Sequence, residues 1–443
     1  MEKVKNLIIG FGKGGKTLAK FLAQKGEEVV VVEKSNQMYG GTCINIACLP
    51  SKRLVIEAAN GVDFVDAVKG KNEMTSLLRN KNYHMLADEP TVTVLDGNAK
   101  FISNHQVAVT TADGTVEEYE GERIFINTGA LPIILPIPGL AESKFMLDST
   151  AAMDQQELPQ DLVIIGAGYI GLEFASMFAK YGSKVTVIDH KTAFIPREDD
   201  DVSAMVKENL EDLGVNFILG ADISSVTDGP DGATVSYELN GKEQTIFANR
   251  ILAATGRKAN TADLGLENTD IALDQRGAVK VDDHLQTNVD KVWAIGDIKG
   301  GPQFTYISLD DFRIIKSQLF DGGRYTLADR QLVPYSVFID PALAEVGLTE
   351  KEAQKQGIDY QLFKLPVAAI PKARVAKDTR GLFKALVDPA TKEILGATLY
   401  GIESFELINM INLAMKAHLP YTLLRDQIYT HPTMSEAFND LFK

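Results

Sequence analysis

The hydrophobic and polar positions of the chain repeat one plan twice. An apolar run reaches Gly10, a glycine-rich turn and an amphipathic stretch follow, and a second apolar run ends at Glu33. The same order recurs from Gly166 to Asp189, and the distance from first glycine to closing acid (10 to 33, 166 to 189) is 23 positions in both copies. Each copy therefore predicts a strand, a turn, a helix and a second strand.

The similarity between the copies extends beyond these units. Each is followed by alternating polar and apolar stretches with turn signals, which predict antiparallel strands. Each then returns through an apolar run to a Thr-Gly pair, Thr128-Gly129 in the first copy and Thr255-Gly256 in the second. The predicted fold class is α/β, with two Rossmann-like doubly wound nucleotide-binding domains that contain inserted antiparallel strands.

The predicted domains follow from where these patterns change. The first nucleotide-binding domain covers residues 1–150 and the second covers 151–271, with a polar, proline-containing linker at their junction. A central segment covers 272–328. Residues 329–443 carry no glycine fingerprint, and their mixed strand and helix patterns predict a separate α+β domain.

The glycine turns carry the first candidate chemistry. Glycines let the backbone approach a pyrophosphate at a helix N-terminus, where free N–H groups and the helix dipole favour an anion. The acid that closes each unit would accept a hydrogen bond from the adenosine ribose. The predicted cofactor-binding residues are Gly10, Gly12, Gly15 and Glu33 in the first copy and Gly166, Gly168, Gly171 and Asp189 in the second.

Asp189 favours NADH over NADPH because a carboxylate at the ribose position repels a 2′-phosphate. His190, Lys191 and Arg197 lie nearby in the sequence, so NADPH stays an alternative. Two dinucleotide sites in one chain indicate an electron relay, most simply from a nicotinamide cofactor to a flavin.

The only two cysteines, Cys43 and Cys48, follow the first unit directly. A structural disulfide across so short a loop gains little stability, and a closed metal site needs about four ligands. The pair therefore predicts a redox centre and no metal site, and transient binding of a soft metal stays an alternative. Five positions is little more than one helical turn, so the two thiols can come within disulfide range.

Near the end of the chain, His431 and Glu436 form a candidate acid–base pair. The carboxylate would fix the imidazole tautomer and raise its basicity. A histidine beside Cys43 would lower the pKa of that thiol and hold it as a reactive thiolate. The alternative is a surface or capping arrangement, because the sequence does not show that His431 reaches the cysteines.

Composition and charge exclude several classes of function. The net charge of −15 disfavours a nucleic-acid binder, because an acidic surface repels phosphate backbones. No apolar run approaches the roughly 18–20 residues that span a bilayer, and the first apolar run is too short for a signal-peptide core. We therefore expect a cytoplasmic enzyme with neither a membrane nor a nucleic-acid partner.

Five motifs, in order, resemble those of the flavoprotein disulfide reductases: the two glycine fingerprints, GGTCINIACLPSK, TNVDKVWAIGD and HPTMSEAF. The family includes dihydrolipoamide dehydrogenase, glutathione reductase and mercuric reductase, and the resemblance runs the full length of the chain. It implies a homodimer that uses FAD and NAD(P)H. It also implies an FAD-binding domain at 1–150 completed by 272–328, an NAD(P)H-binding domain at 151–271, and a dimerisation domain at 329–443.

The resemblance implies roles for individual residues. Cys43 resembles the interchange thiol that attacks substrate, and Cys48 resembles the charge-transfer thiol beside the flavin. Lys52 and Glu173 resemble an ion pair beside flavin N5, which makes both candidate catalytic residues. Electrons would pass from NADH through the flavin to the cysteine pair, and Cys43 would then attack an oxidised sulfur.

The remaining implied roles concern the cofactors and the partner subunit. Asp297 resembles the ligand of the FAD ribityl chain, and Tyr169 resembles a gate over the nicotinamide side of the flavin. His431 and Glu436 are implied to serve the cysteines of the partner subunit. Cofactor contacts are also expected for Lys52, Thr128, Gly129 and Gly256.

The electron acceptor is indicated by a closer resemblance. The stretches GGPQFTYISLDDFRI, LPVAAIPKARV and LPYTLLRDQIYTHPTMSE are similar to the RclA-like group of this family, the reactive-chlorine-resistance flavoproteins. This implies reduction of a small oxidant, hypothiocyanous acid first and cupric ion as a further acceptor, with Phe304 and Tyr306 narrowing the approach. A dihydrolipoamide dehydrogenase-type reductase is one alternative. A redox sensor or soft-metal binder is an alternative of another class.

Overall fold

The computed structural model describes residues 1–443 as 22 strands and 13 α-helices. The strands are β1 (Glu2–Ile9), β2 (Val29–Glu33), β3 (Val92–Asp96), β4 (Asn98–Phe101), β5 (Gln106–Thr110), β6 (Val116–Ile126), β7 (Ala130–Pro132), β8 (Met146–Leu147), β9 (Asp161–Ile165), β10 (Lys184–Asp189), β11 (Asn216–Leu219), β12 (Asp222–Asp228), β13 (Ala233–Leu239), β14 (Lys242–Ala248), β15 (Arg250–Ala253), β16 (Arg257–Ala259), β17 (Val292–Ala294), β18 (Tyr335–Val337), β19 (Leu343–Gly347), β20 (Gln361–Pro366), β21 (Leu382–Val387) and β22 (Ile394–Tyr400). The helices are α1 (Lys13–Gln24), α2 (Thr42–Asn45), α3 (Cys48–Ala59), α4 (Phe64–Ala87), α5 (Ser149–Met153), α6 (Tyr169–Tyr181), α7 (Asp200–Asp212), α8 (Thr305–Phe320), α9 (Glu350–Gln356), α10 (Pro371–Val375), α11 (Ser404–Lys416), α12 (Tyr421–Asp426) and α13 (Ala437–Leu441).

The first sheet has seven strands, in the order β3-β2-β1-β6-β5-β4 with β17 beside β6. Strands β1, β2, β3 and β17 run parallel to their neighbours, whereas β4 and β5 extend the sheet antiparallel. The predicted inserted strands of the first domain therefore continue its main sheet. This is possible because β6 is 11 residues long, so its first half pairs with β5 and its second half with β17.

The second sheet is entirely parallel, in the order β11-β10-β9-β15-β8, and its inserted strands form a separate meander, β12-β13-β14. Strand β8 already pairs with β15. The chain therefore enters the second sheet a few residues before the predicted boundary at residue 150, and the predicted linker region begins with helix α5.

The two Thr-Gly pairs lie at a reciprocal connection between the nucleotide units. Strands β7 and β16, which follow the pairs, hydrogen-bond to each other antiparallel. The Thr128 hydroxyl donates to the Asn260 carbonyl at 3.1 Å, and the Thr255 hydroxyl donates to the Ile133 carbonyl at 2.6 Å. Each threonine thus anchors the connecting strand of the other unit.

The C-terminal part is a five-stranded antiparallel sheet, β18-β19-β22-β21-β20, packed against helix α11. Its first strands also share a hydrophobic core with the second nucleotide unit, since Tyr335, Val337 and Leu343 pack with Phe174 and Phe178 of α6. The predicted fold class is confirmed by this architecture. None of the helices combines the length and the hydropathy that crossing a bilayer would require.

Candidate active site

A cavity of about 1380 Å³ opens among the first nucleotide unit, helix α6, the N-terminus of α8 and the C-terminal sheet. Eleven of the predicted site residues line it: Gly10, Gly12, Glu33, Cys43, Cys48, Lys52, Thr128, Gly129, Tyr169, Glu173 and Asp297. Eight lie outside it: Gly15, Gly166, Gly168, Gly171, Asp189, Gly256, His431 and Glu436.

The first glycine turn and its acid are joined directly. Gly10, at φ +101°, occupies a conformation that favours glycine. The buried Glu33 carboxylate accepts a hydrogen bond from the Phe11 N–H at 2.9 Å, and burial raises its pKa. A carboxylate fixed beside the turn is placed to receive a ribose hydroxyl.

The second turn repeats this geometry. Gly166 has φ +107°, and the Asp189 carboxylate accepts from the Ala167 N–H at 2.7 Å and the Lys191 N–H at 2.8 Å. Arg197, which lies near Asp189 in the sequence, points elsewhere: its guanidinium lies 5.0 Å from the centroid of the Tyr335 ring.

The residues of the first turn fit a bound FAD. A Cβ on Gly12 would come within 2.5 Å of Asn127 Oδ1, and one on Gly41 within 2.7 Å of the Gly12 Cα. Neither position has room for a side chain, so both stay glycine where their backbone lines the cavity, as close approach of a pyrophosphate requires. Asp297 lines the same cavity, where burial raises its pKa against the opposing effect of Arg257.

The two cysteines come together from different helices. Cys43 lies in the single-turn helix α2, and Cys48 is the first residue of α3. The break between them falls at Ala47, which has φ −141° and ψ −100°. Both thiols are free and half-buried, and they are in hydrogen-bond contact.

The surroundings divide the two thiols chemically. The hydrogen bond from Cys48 is the largest of the effects that lower the pKa of Cys43 to about 6; the Thr305 hydroxyl, Lys16 and Lys52 act in the same direction, against burial. The same hydrogen bond, together with burial, raises the pKa of Cys48. These contacts favour the thiolate form of Cys43 over that of Cys48, and a thiolate is the nucleophilic form.

Lys52 and Glu173 form the ion pair that the sequence suggested. Lys52 Nζ lies 2.6 Å from Glu173 Oε2, and Glu173 Oε1 accepts from the Phe338 N–H at 2.8 Å. Lys52 also lies over the Phe338 ring, 4.8 Å from its centroid. The pair thus connects helix α3, which carries Cys48, to α6 and the C-terminal sheet.

The aromatic residues of the cavity form a stack. The rings of Phe304 and Tyr306 are 5.0 Å apart and nearly parallel at 9°, and the Tyr306 hydroxyl donates to the Pro334 carbonyl at 2.6 Å. The Tyr169 and Tyr335 rings stack at 5.7 Å. These rings line the cavity near the thiols and helix α6.

His431 and Glu436 form their pair away from the cysteines. His431 Nδ1 lies 2.8 Å from Glu436 Oε2, and the His431 side chain is 68% exposed. Neither residue lines the cavity that holds Cys43 and Cys48. Within one chain, the structure therefore does not bring this pair to the thiols.

Sequence reasoning missed three residues near the cavity: Lys16, Arg257 and Thr305. Lys16 is buried in α1 and donates to the Gly40 carbonyl at 3.2 Å. A lysine on the apolar face of the first helix was a visible signal in the sequence. Thr305, the first residue of α8, carried no such signal, because its contact with Cys43 joins segments far apart in the chain.

Comparison with known proteins decides the family. Residues 4–311 match the model for pyridine nucleotide-disulphide oxidoreductases, and residues 333–442 match the dimerisation domain of the same family. The chain is a member of the pyridine nucleotide-disulphide oxidoreductases. The resemblance seen in the sequence is thereby confirmed, and the oxidoreductase is a flavin-dependent enzyme by family.

Relatives of this oxidoreductase cover nearly its whole length. It is 49% identical to the probable pyridine nucleotide-disulfide oxidoreductase RclA of Escherichia coli strain K12, over 100% of this chain and 99% of RclA. It is 32% identical to dihydrolipoyl dehydrogenase of Geobacillus stearothermophilus, over 98% of this chain and 94% of that protein. A solved structure described as the Cu(II) complex of HOCl-induced flavoprotein disulfide reductase RclA superposes with a TM-score of 0.97 over 100% of this chain and 99% of that one.

Proposed function

We propose that the chain is an NADH-dependent FAD disulfide reductase whose Cys43–Cys48 pair reduces a small sulfur oxidant, with hypothiocyanous acid as the first substrate. The observation that carries the proposal is the pair of contacting thiols in the cavity, with the pKa of Cys43 lowered to about 6. The chain is 49% identical to RclA, which is described as an HOCl-induced flavoprotein disulfide reductase, and this supports an oxidant as the acceptor.

The thiols carry out the substrate half of the reaction. The Cys43 thiolate attacks the sulfur of hypothiocyanous acid, forming an S–S bond and releasing hydroxide, which takes up a proton to become water. Cys48 then attacks the Cys43 sulfur, forming the Cys43–Cys48 disulfide and releasing thiocyanate. The two thiols lose two electrons and the oxidant gains them.

Other residues would bind and orient the two cofactors. FAD, when bound, would supply the redox chemistry that links NADH to the Cys43–Cys48 disulfide. Glu33, Asp297 and the turn at Gly10–Gly15 would hold the FAD, and Lys52 with Glu173 would orient its reactive edge. Asp189 would favour NADH, because its carboxylate is already held beside the second turn.

We also propose that the enzyme is a homodimer and that His431, fixed by Glu436, serves Cys43 of the partner subunit as acid and base. The C-terminal domain matches the family's dimerisation domain, and His431 is exposed and lies outside the cavity of its own chain. An exposed imidazole whose Nδ1 is bonded to a carboxylate leaves Nε2 free for a neighbour.

Cupric ion is a second candidate acceptor, because the structure of RclA with a TM-score of 0.97 is described as a Cu(II) complex. Two adjacent thiols are also soft ligands that suit copper after reduction. Lipoamide is the third to test, given the dihydrolipoyl dehydrogenase relatives.

The experiment measures NADH oxidation by the FAD-loaded protein with hypothiocyanous acid, Cu(II) or lipoamide as the added acceptor. We expect fast, saturable consumption with hypothiocyanous acid and at least about a 10³-fold loss in Cys43→Ser, the nucleophile being essential. Rapid turnover with lipoamide and none with hypothiocyanous acid would overturn the proposed substrate.

A further inference from the structure

Two carboxyls and two phenols form a buried cluster behind the cavity wall. Glu198 precedes helix α7, Tyr335 lies on β18, Glu345 lies on β19, and Tyr169 begins helix α6. Glu198 and Glu345 are 0% and 2% exposed. Both tyrosines line the cavity, whereas both glutamates lie behind them. The cluster therefore connects the second nucleotide domain and the C-terminal sheet to the cavity.

The hydrogen bonds of the cluster require one more proton than the phenols provide. The Tyr335 hydroxyl lies 2.8 Å from Glu198 Oε1 and 2.9 Å from Glu345 Oε1, and the Tyr169 hydroxyl donates to the same Glu198 oxygen. One phenol has a single proton and cannot donate to both carboxyls at once. Glu198 Oε2 is buried with no donor of its own, although the Glu345 carboxyl contacts Glu198. One further proton, on either carboxyl, completes the three contacts, because Tyr335 then donates to one glutamate and accepts from the other.

We propose that Glu198 and Glu345 share one proton and that the protonated pair, through Tyr335, positions Tyr169 at the cavity. Glu345 is then a positioning residue for the step in which NADH delivers its hydride. This role rests on the proposed function and on the gate over the nicotinamide side of the flavin that the family resemblance implies for Tyr169.

The charges around the pair agree with a single shared proton. Burial, and then the neighbouring Glu198, raise the pKa of Glu345 well above its usual range, while Arg197 opposes them. Arg197 stacks on the Tyr335 ring and is placed to balance the one negative charge that remains. The adjacent Asp199 is already paired with Lys384 at 2.8 Å. Loss of the shared proton would place two negative charges in contact, and their repulsion would break the hydrogen bonds that hold Tyr169.

The decisive variant is Glu345→Gln, because an amide N–H₂ replaces the carboxyl proton at nearly the same size and cannot be titrated. With the FAD-loaded protein, the rate of flavin reduction by NADH is followed by stopped-flow absorbance across pH. We expect the wild-type rate to fall about tenfold on the alkaline side and the Glu345→Gln rate to keep its neutral value there. Identical pH profiles for the two proteins would overturn the positioning role.

A second measurement does not depend on any reaction. The folded state holds a proton on Glu345 that the unfolded chain releases above about pH 4.3, so the wild-type free energy of unfolding should fall as pH rises from there towards the raised pKa. Glu345→Gln should lack this component, and its infrared spectrum should lack the C=O stretch of a buried protonated carboxyl. Equal pH dependence of the melting temperature together with an unchanged carboxyl band would overturn the shared proton itself.

Tyr335→Phe distinguishes the hydrogen bonds of the Tyr335 hydroxyl from the packing of its ring. It keeps the ring that stacks on Tyr169 and under Arg197 but removes the hydroxyl between the carboxyls. We expect slower flavin reduction at neutral pH with an unchanged reaction of the reduced thiols with hypothiocyanous acid. A normal rate of flavin reduction would overturn the link to Tyr169. Failure of the proposed substrate would appear only in the thiol reaction, so the two proposals can fail separately.

Discussion

The glycine turns at 10–15 and 166–171 can be compared atom by atom. Their first glycines have φ of +101° and +107°. The Gly10 N–H donates to the Val32 carbonyl at 2.8 Å, and the Gly166 N–H donates to the Ile188 carbonyl at 2.9 Å. In each, the closing acid accepts from the N–H that follows the first glycine. The helices α1 and α6 both begin after a glycine N-cap in an extended conformation.

What differs is the surface that covers each turn. A Cβ on Gly12 would meet Asn127 at 2.5 Å, whereas one on Gly168 would meet nothing within 4 Å. Glu33 is buried in the cavity wall, while Asp189 lies outside the cavity beside the exposed His190. A covered turn suits a cofactor that stays bound, and an open turn suits one that exchanges in every cycle. We therefore expect the same local backbone to serve two kinds of ligand, depending on what packs over it.

The largest expected effect tests whether His431 of one subunit serves the Cys43–Cys48 pair of the other subunit. His431→Ala should lower oxidant turnover by about 10²–10⁴-fold and leave flavin reduction by NADH unchanged, since only the thiol half needs the imidazole. Steady-state and stopped-flow rates check this. His84→Ala, which removes another exposed histidine from a carboxylate partner at 3.0 Å, is the matched control.

Coexpression of Cys43→Ser and His431→Ala chains sharpens the same test. A mixed dimer has one intact site if the histidine serves the partner subunit and none if it serves its own chain. We expect turnover to return in the mixed dimer. Its absence, with mixed dimers shown to form, would place His431 outside the thiol reaction of the partner.

Comparison of Gly12→Ala with Gly168→Ala tests the difference in packing around the two turns. Both glycines have ordinary helical-entry φ values, of −68° and −76°, so the methyl group adds no backbone strain at either. Crowding at Gly12 should cost about 1–3 kcal/mol, which is roughly 5- to 150-fold weaker flavin retention. Gly168→Ala should keep its flavin and raise the KM for NADH. Flavin content per chain and initial rates measure the two effects, and equal flavin loss would remove the distinction between the turns.

Nicotinamide preference should depend on the second acid alone. Asp189→Ser removes the carboxylate that repels a 2′-phosphate, so the ratio of kcat/KM for NADH to that for NADPH should fall about tenfold. Glu33→Gln is the matched change in the first unit and should affect flavin retention but not this ratio. A shift of the ratio in Glu33→Gln would contradict the assignment of the two turns.

The smallest expected effect concerns Lys16, which lies beneath the first turn and the thiols. Burial, with a contribution from Lys13, lowers the pKa of Lys16 to about 8, and its charge helps to lower the pKa of Cys43. Lys16→Met should raise the pKa of Cys43, so alkylation of the reduced enzyme should be about threefold slower below pH 6, where little of the thiol is ionised. The rate should be unchanged at high pH, where the thiol is ionised in both proteins.

Lys20→Met is the control for Lys16→Met. Lys20 lies one turn further along α1 and pairs with Glu89, outside the cavity. An alkylation profile that shifts equally in both variants would show that the effect comes from the stability of the helix and not from the charge beside Cys43.

The sequence by itself determined the repeated turn, its closing acid and the cysteine motif. These features depend on neighbours within about 25 positions: glycines where the backbone must be bare, an acid at the end of the next strand, and two thiols that one short loop brings together. The family and the fold class followed from them, and both are confirmed. The position and pairing of Lys52 with Glu173 also came from the resemblance, but their distance came only from the fold.

Only the tertiary structure decided which groups meet across the chain. Thr305 contacts Cys43, and Arg197 lies over the Tyr335 ring although Asp189 is nearer in the sequence. Glu198 and Glu345 come together because the C-terminal sheet packs on helix α6. A sequence shows that a residue is charged or polar, yet its pKa and its partner depend on burial and on distances between segments far apart. For the same reason, two turns with one local pattern became a covered site and an open one.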